Sequence, residues 1–286
     1  MSANHVHLIN PAAIHVAEVV NVESVYSILS ISPLLIDNDD LVTVSFNTTT
    51  PAEDDWIGAY SPPTANILTS SPVKFGYCGA LSKSTYLQDG FGHLAFNLTN
   101  LRAGVKFYYF KGGTDNPVLV ANSTDVVEYN NVNQPLRNRV VATGDPNIFS
   151  LLWSSNNSVQ PVLKWGLQSN SYIYTIPAIT SHLEKSSMCG GVATGFGWRD
   201  LGAIHTANFT GLLDLNLSNK NISYIFGDAA TNDFSKEFTL LVPPKAGTQP
   251  PNRPTTVALF ADLGVGSSDN SYDTTGKISS LYEKFI

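Results

Sequence analysis

The amino-terminal part of the chain alternates short apolar runs with clusters of turn residues. The runs "SVYSILSI", "LVTVSF", "HLAFNL" and "VKFYYF" are separated by polar stretches such as "IDNDD", "NTTTPAEDD" and "TNLRAG". Alternation with a period of two and frequent turns are typical of antiparallel strands that are buried on one face. This pattern predicts a β-sandwich without helices in roughly the first hundred residues.

A second group of strand candidates follows the polar segment 131–139, which contains a proline and is predicted to be a linker. The candidates are "NIFSLLWSS", "QPVLKWG", "SYIYTI", "AIHTANFTG", "ISYIFG" and "KEFTLLV". They carry aromatic residues that we interpret as core fillers: Trp153, Trp165, Tyr224 and Phe226. The pattern therefore predicts a second, mainly β unit.

The pattern changes after the proline-rich connector "PPKAGTQPPNRP". "TTVALFADLGVG" is an apolar strand that ends in a glycine-rich loop, and "DTTGKISSLYEKFI" places apolar residues on one helical face. We therefore predict a helix near 274–286 and three units, 1–135, 136–248 and 249–286. Strand, loop and helix begin an α/β unit, which would continue with a parallel strand.

Composition and charge restrict the classes of partner. The 23 acidic residues outnumber the 16 basic ones without a basic run, which argues against a nucleic-acid partner. No apolar run reaches 18 residues, so no membrane span is predicted. Low charge with abundant Ser, Thr and Asn favours a secreted protein, although the first residues lack the apolar core of a signal peptide.

Two kinds of modification follow from this expectation. N-linked glycans are predicted partners, with seven candidate acceptors in N-x-S/T motifs: Asn47, Asn97, Asn122, Asn156, Asn208, Asn216 and Asn221. Cys78 and Cys189 are far apart in the sequence, and either a disulfide or two buried thiols agrees with their spacing.

Four stretches, in order, resemble the amino-terminal portion of plant-type purple acid phosphatases. They are "DDWIGAYSP" (54–62), "NPVLVANS" (116–123), "CGGVATGFGWRDLGAIHT" (189–206) and "VALFADLG" (257–264). The resemblance implies an immunoglobulin-like sandwich (1–135), then a sandwich similar to fibronectin type III (136–248), and then the incomplete start of a metallophosphoesterase domain (249–286). In that family the last domain hydrolyses phosphate monoesters at acidic pH.

The same resemblance implies a dinuclear centre of ferric iron with iron, zinc or manganese. Its first ligand is matched by Asp262, although Ala261 stands where the family has glycine. The Gly-Asp-x-x-Tyr and Gly-Asn-His motifs and the later histidines have no match after Asp262. Because two-metal hydrolysis needs several ligands around both ions, we expect no cofactor and no phosphatase activity for this chain.

Other constellations have plainer interpretations. His5 and His7 form a pair too small for a defined metal site. The Trp198-Arg199-Asp200 element is interpreted as a structural turn or ion pair, and Trp56 as a core residue between loop acids. Asp54 and Asp55 lack the spacing of a calcium loop. No G-x-S-x-G motif supports a serine hydrolase.

Two hypotheses of function remain open. The chain is either the non-catalytic front of a purple acid phosphatase-like protein or a stand-alone extracellular module that binds or self-assembles through sheet edges. The segment "HVHLINPAAIHV" could add a strand to such an edge. In a complete chain we expect 255–286 to pack onto the second sandwich or onto a neighbouring molecule, and in a fragment we expect it to be removable by protease.

Overall fold

The computed structural model describes residues 14, 16, 25–79, 85–189, 191 and 194–245. The predicted strand at 257–260, the predicted helix near 274–286 and the behaviour expected of 255–286 lie outside the described residues. Within them the protein is mainly β and forms two tandem sandwiches, as the sequence predicts. The boundaries proposed at 135 and 248 stay predictions.

The first unit contains nine strands and a one-turn helix in its described residues. The strands are β1 (Tyr26–Ser32), β2 (Leu35–Ile36), β3 (Asp40–Thr48), β4 (Trp56–Tyr60), β5 (Lys74–Tyr77), β6 (Phe91–Leu98), β7 (Lys106–Lys111), β8 (Val118–Asn122) and β9 (Glu128–Tyr129). One antiparallel sheet has the order β1-β3-β6 and the facing sheet the order β5-β4-β7-β8, while β2 and β9 form a short parallel pair.

Alternation along these strands separates the core from solvent. In β6 every second residue is buried, and β3 aligns Val44 with Leu94 and Val42 with Phe96. The inward side chains of both sheets, including Phe46, form a continuous apolar core. This arrangement is what a period of two predicts for sheets that bury one face.

A short helix, α1 (Tyr86–Asp89), corrects the expectation that the first unit has none. It is a single turn with a left-handed Gly90 at its C-terminal end, where φ is 73°. A Cβ at this position would lie 1.9 Å from the carbonyl oxygen of Thr48, so only glycine fits here. Because four residues are too few for a helical repeat, the turn left no periodic signal in the sequence.

The outer face of the four-stranded sheet is aromatic. Trp56 stacks on Phe110 with 4.1 Å between ring centroids, and the indole N–H donates to the carbonyl of Gly113 at 2.7 Å. Ile14 and Val16 are buried in the same cluster. Trp56 is therefore a buried anchor, as predicted, but it lies in this outer cluster and not between the two sheets.

The second unit has nine further strands in its described residues. They are β10 (Leu136–Ala142), β11 (Phe149–Ser155), β12 (Pro161–Gly166), β13 (Tyr174–Pro177), β14 (Ile179–His182), β15 (Ala203–Phe209), β16 (Asn221–Asp228), β17 (Asp233–Phe234) and β18 (Phe238–Leu241). One sheet has the order β10-β11-β15-β14, and the other has the order β13-β12-β16-β17 with β18 also paired to β16. A 3-10 turn covers Lys185–Ser187.

The core of the second unit lies between these two sheets. Trp153, Trp165, Tyr224 and Phe226 are all buried in it, which confirms their interpretation as core fillers. The predicted linker is shorter than expected, because β10 already begins at Leu136. The polar residues of this segment misled the prediction, since β10 is an edge strand with exposed polar positions.

Candidate interdomain site

The two sandwiches meet at a buried arginine. Arg102 lies in the turn between β6 and β7 and is only 8% exposed. One guanidinium nitrogen, Nη1, donates to the carbonyls of Val132 at 3.1 Å and Gln134 at 2.6 Å. The other, Nη2, donates to the carbonyl and the hydroxyl of Ser154 in β11, at 2.9 and 3.0 Å. A single side chain thus joins the first unit, the connection and the second unit.

The backbone turn that carries Arg102 is held in an uncommon conformation. Its φ is 71°, in the left-handed region that residues other than glycine rarely adopt. The backbone N–H of Arg102 donates to Oδ1 of Asn100 at 3.0 Å, which closes a small side-chain turn. The amide of Asn100 in turn donates to the carbonyl of Asn131 at 2.8 Å. This network fixes the direction in which the arginine leaves the first unit.

Burial removes the charged Arg102 guanidinium from water, which costs free energy. Burial lowers the pKa of Arg102 to about 10, with a smaller contribution from the nearby Arg137 and an opposing one from Asp233. The group is still charged at neutral pH. Carbonyl oxygens replace its water shell, so removing the side chain would leave several buried acceptors without a donor.

A second arginine joins the units on the other side of the junction. Arg199 donates to the carbonyls of Phe196 at 3.1 Å and Trp198 at 2.6 Å within its own loop. It also donates to the carbonyl of Ser71 in the first unit, while the Ser71 N–H donates back to the Phe196 carbonyl at 3.1 Å. Asp200 accepts from the N–H of Gly202 at 2.8 Å. These bonds agree with the predicted structural turn.

A cleft of about 220 Å³ separates the two arginines. Residues 61–62 and 101–103 line it from the first unit, and Asn156, Arg199, Asp200 and Gly202 line it from the second. Gly202 has a φ of 77°, and a Cβ there would lie 2.2 Å from the carbonyl oxygen of Ser155. Only glycine allows the two backbone segments to approach this closely.

His205 is buried next to the junction, in β15. Its Nε2 lies 2.8 Å from the Ser155 hydroxyl and its Nδ1 lies 2.9 Å from the Thr180 hydroxyl. Burial lowers the pKa of His205 to about 4, with a smaller contribution from His182. A neutral imidazole bonded on both sides by hydroxyls connects β11 and β14 across the sheet, so we interpret this serine–histidine pair as structural.

A buried polar network crosses the core of the first unit. Asp55 lies in the loop before β4, as predicted, but its side chain is fully buried. It accepts hydrogen bonds from the Tyr86 hydroxyl and from the Ala52 N–H, and the Tyr86 and Tyr109 hydroxyls lie 2.5 Å apart. Burial raises the pKa of the Asp55 carboxyl, while the bond from Tyr86 opposes this effect. Asp54 precedes it at an exposed position.

The predicted modification sites are placed as follows. All seven sequon asparagines are exposed. Cys78 is buried in the first core and Cys189 is exposed, and no disulfide joins them. Burial raises the pKa of the Cys78 thiol, and the neighbouring Asp55 raises it further.

Asp262, which matches the family's first metal ligand, lies outside the described residues, as do His5 and His7, the pair judged too small for a metal site. Within the described part of the chain, no group of three or more His, Cys, Asp or Glu side chains is placed to hold a metal ion. The residues described here therefore do not fit a dinuclear centre. In the same part of the chain, no helix has the length and apolar character needed to cross a membrane.

Comparison with known proteins assigns the family. The model for the Fn3-like domain from purple acid phosphatase matches residues 28–131. Probable inactive purple acid phosphatase 1 of Arabidopsis thaliana is 33% identical over 254 residues, which cover 82% of this chain and 40% of the relative. The chain belongs to the purple acid phosphatase family.

Two further comparisons define how much of the family this chain represents. Probable inactive purple acid phosphatase 27 of Arabidopsis thaliana is 31% identical, over 85% of this chain and 42% of the relative. A solved purple acid phosphatase from yellow lupin (Lupinus luteus) seeds matches with a TM-score of 0.67 and 29% identity, over 75% of this chain and 41% of that chain. The chain spans about two fifths of the length of these relatives.

The family match falls on the first sandwich, whereas the sequence suggested fibronectin type III likeness for 136–248. The order β5-β4-β7-β8 opposite β1-β3-β6 is a seven-stranded sandwich of that general type. The likeness of the second unit to fibronectin type III stays a prediction.

Sequence reasoning did not single out Arg102, which joins the units, or His205, which connects two strands of the second unit. Arg102 stands in "TNLRAG", which was interpreted only as a turn, and His205 stands inside a motif used only for family likeness. The partners of Arg102 lie 30 to 52 positions away along the chain. No periodic pattern reports contacts of this kind, and only the combination of an arginine with a turn asparagine hinted at a special backbone there.

Proposed function

We propose that this chain is the non-catalytic front of a secreted purple acid phosphatase-like glycoprotein, and that it acts as a rigid two-sandwich platform. The observation that carries the proposal is the junction, where Arg102 donates four hydrogen bonds across three segments. Directional bonds from a buried cation hold two units in one orientation. The names of the Arabidopsis relatives, which describe them as probable inactive phosphatases, agree with a role apart from catalysis.

The isolated 286-residue chain is expected to lack phosphatase activity. We expect no hydrolysis of p-nitrophenyl phosphate at acidic pH when the chain is supplied with iron, zinc or manganese, because Asp262 is the only family ligand that the sequence matches. The measurement is release of p-nitrophenol, with buffer plus metal as the blank. Turnover that disappears in Asp262→Asn would overturn the proposal.

The rigidity of the two-sandwich platform can be measured separately in solution. In small-angle scattering a rigid pair of sandwiches gives one envelope and one radius of gyration over a range of salt concentrations, because buried hydrogen bonds are screened little by salt. The matched variant Arg102→Ala should broaden the distribution of interdomain distances. A wild-type profile that needs an ensemble of unrelated orientations would contradict rigidity.

A second candidate function, assembly through sheet edges, is favoured by one observation. Strand β14 lies at the edge of its sheet, and all four of its residues are exposed, with Ile179 78% exposed. Such an edge can accept a strand from another molecule. We expect a concentration-dependent increase in mass by light scattering, reduced by Ile179→Lys, with Leu215→Lys as a control on an exposed residue outside the strands. A monomer at all concentrations would exclude this candidate.

A further inference from the structure

One of the seven sequons stands at the rim of the interdomain cleft. Asn156 follows β11 directly and lines the cleft together with residues of the first unit. The Asn156 side chain is exposed, and it takes part in none of the hydrogen bonds among the described residues. This combination places a modifiable amide at the opening of a preformed space.

The loop that carries Asn156 is held from both sides. The preceding Ser155 is bonded through its hydroxyl to His205 at 2.8 Å. The following Asn157 donates its backbone N–H to Oδ1 of Asn133, in the connection between the units, at 2.7 Å. The position of residue 156 relative to the cleft is therefore set by the structure on either side of it.

We propose that Asn156 carries an N-linked glycan whose first N-acetylglucosamine occupies this cleft and ties the two sandwiches together. The inference rests on the proposed secretion of the protein. In the transfer step the amide Nδ2 of Asn156 forms a bond to C1 of the first sugar of a lipid-diphosphate-linked oligosaccharide. The bond from C1 to the diphosphate breaks, the lipid diphosphate leaves with the electron pair, and the amide loses one proton.

The lining of the cleft suits a sugar ring. Its volume of about 220 Å³ is below the range of pockets for drug-sized ligands but leaves room for a single ring. Pro62 and Leu101 offer aliphatic surface to the C–H face of the ring. Arg199 and Asp200 offer polar groups to the acetamide and the hydroxyls. The first two residues belong to one sandwich and the last two to the other, so a seated sugar would contact both.

The other sequons have different surroundings. Asn97 lies in β6, and its amide nitrogen already donates to the carbonyl of Asp39 at 2.5 Å. Asn208 lies in β15 and accepts from the Ser150 hydroxyl at 2.7 Å. Asn216 lies in a left-handed turn with a φ of 54°. None of the other six asparagines lines this cleft, so a glycan on them would have no interdomain contact here.

The test begins with the full chain produced through the secretory pathway of insect or plant cells. Release of glycans by peptide N-glycosidase in heavy-oxygen water marks each occupied asparagine by mass. Hydrogen exchange then compares three forms of the protein: fully glycosylated, trimmed to a single N-acetylglucosamine by endoglycosidase, and fully deglycosylated. The variants are Asn156→Gln and, as a matched control on an exposed turn, Asn216→Gln.

We expect Asn156 to be occupied and the backbone at 101–103 and 200–202 to exchange at least three-fold more slowly in the glycosylated and trimmed forms than in the fully deglycosylated form. Asn156→Gln should abolish this protection and Asn216→Gln should retain it. If Asn156 is unoccupied while other sequons are occupied, only this inference is overturned. If the protein carries no glycans at all, the proposal that it is a glycoprotein is overturned as well. Occupancy without any protection of the two segments would refute the seating of the sugar.

Discussion

Replacing Arg102 by alanine is the most direct test of the junction. The substitution removes four hydrogen bonds from a cation that is 8% exposed. It leaves the carbonyls of Val132, Gln134 and Ser154 without that donor. A hydrogen bond to a charged group contributes about 1.5–3 kcal/mol, but these bonds share one desolvated side chain, so their contributions are not additive.

We therefore expect Arg102→Ala to lower the free energy of unfolding by about 3 kcal/mol, which is the range for breaking a buried charged network. For a chain of this size such a loss corresponds to a decrease in Tm of about 6 to 12 °C. Calorimetry adds a second signature. The wild-type protein should melt in one cooperative transition, and the variant should melt in two, because the coupling between the sandwiches is weakened.

Two further variants make the result specific. Arg102→Lys keeps the charge but lacks the planar fork, so we expect an intermediate loss of stability. Arg139→Ala removes an exposed arginine from β10 and should change the free energy of unfolding by less than about 0.5 kcal/mol. The reasoning is refuted if the free energy of unfolding of Arg102→Ala is within about 1 kcal/mol of the wild-type value and the variant melts in a single transition.

Three other predictions concern the groups around the two cores. Because the pKa of His205 is lowered from 6.5 to about 4, its stabilising effect is complete above pH 6.5 and is lost as the pH falls toward 4, by up to about 3 kcal/mol. His205→Gln should weaken the dependence of the urea midpoint on pH between pH 6.5 and 4, and an unchanged pH dependence would contradict this assignment. Asp55 has a raised pKa, so its contribution is present below pH 3.8 and is lost as the pH rises through its folded-state pKa. Asp55→Asn should therefore reduce the loss of stability on going from pH 4 to pH 8 in urea titrations, and an equal loss would count against it. Arg199→Ala should speed proteolysis of the 194–200 loop several-fold, since its bond to the Ser71 carbonyl is lost, whereas a wild-type cleavage rate would show that this bond does not hold the loop.

The fold was predictable wherever one face of a strand is buried. The alternation in "HLAFNL" corresponds to β6, and "LVTVSF" corresponds to β3, with which it pairs. The second group of strand candidates likewise coincides with β11, β12, β13, β15, β16 and β18. A period of two is a direct consequence of burying one side of a pleated strand, so the sequence carries that information locally.

Short and exposed strands were not predictable on the same grounds. Strand β14 has four exposed residues, and β10 alternates between half-buried and exposed positions at a sheet edge. Neither buries a full face, so neither shows the apolar periodicity that the other strands show. Their pairing is determined by β15 and β11, which lie elsewhere in the sequence.

The buried polar groups were beyond local reasoning for a different physical reason. Asp55 stands beside an exposed Asp54 in a run that looks like a loop, and its burial depends on Tyr86, 31 residues away. A carboxyl enters an apolar core only where donors from other segments compensate for the lost water. Such compensation is a property of the assembled fold and has no signature in the neighbouring residues.

The "WRDLG" segment, which carries part of the family likeness, likewise forms hydrogen bonds with a distant segment of the chain. Each sandwich already buries its own apolar core, and the hydrogen bonds of Arg102 and Arg199 join the two units. An apolar contact tolerates sliding, whereas a guanidinium fork accepts only a narrow range of acceptor positions. The "WRDLG" segment supplies Arg199, which donates to the Ser71 carbonyl of the first unit. The family likeness of this segment is therefore explained by the contact between two sandwiches, without a catalytic role for Arg199.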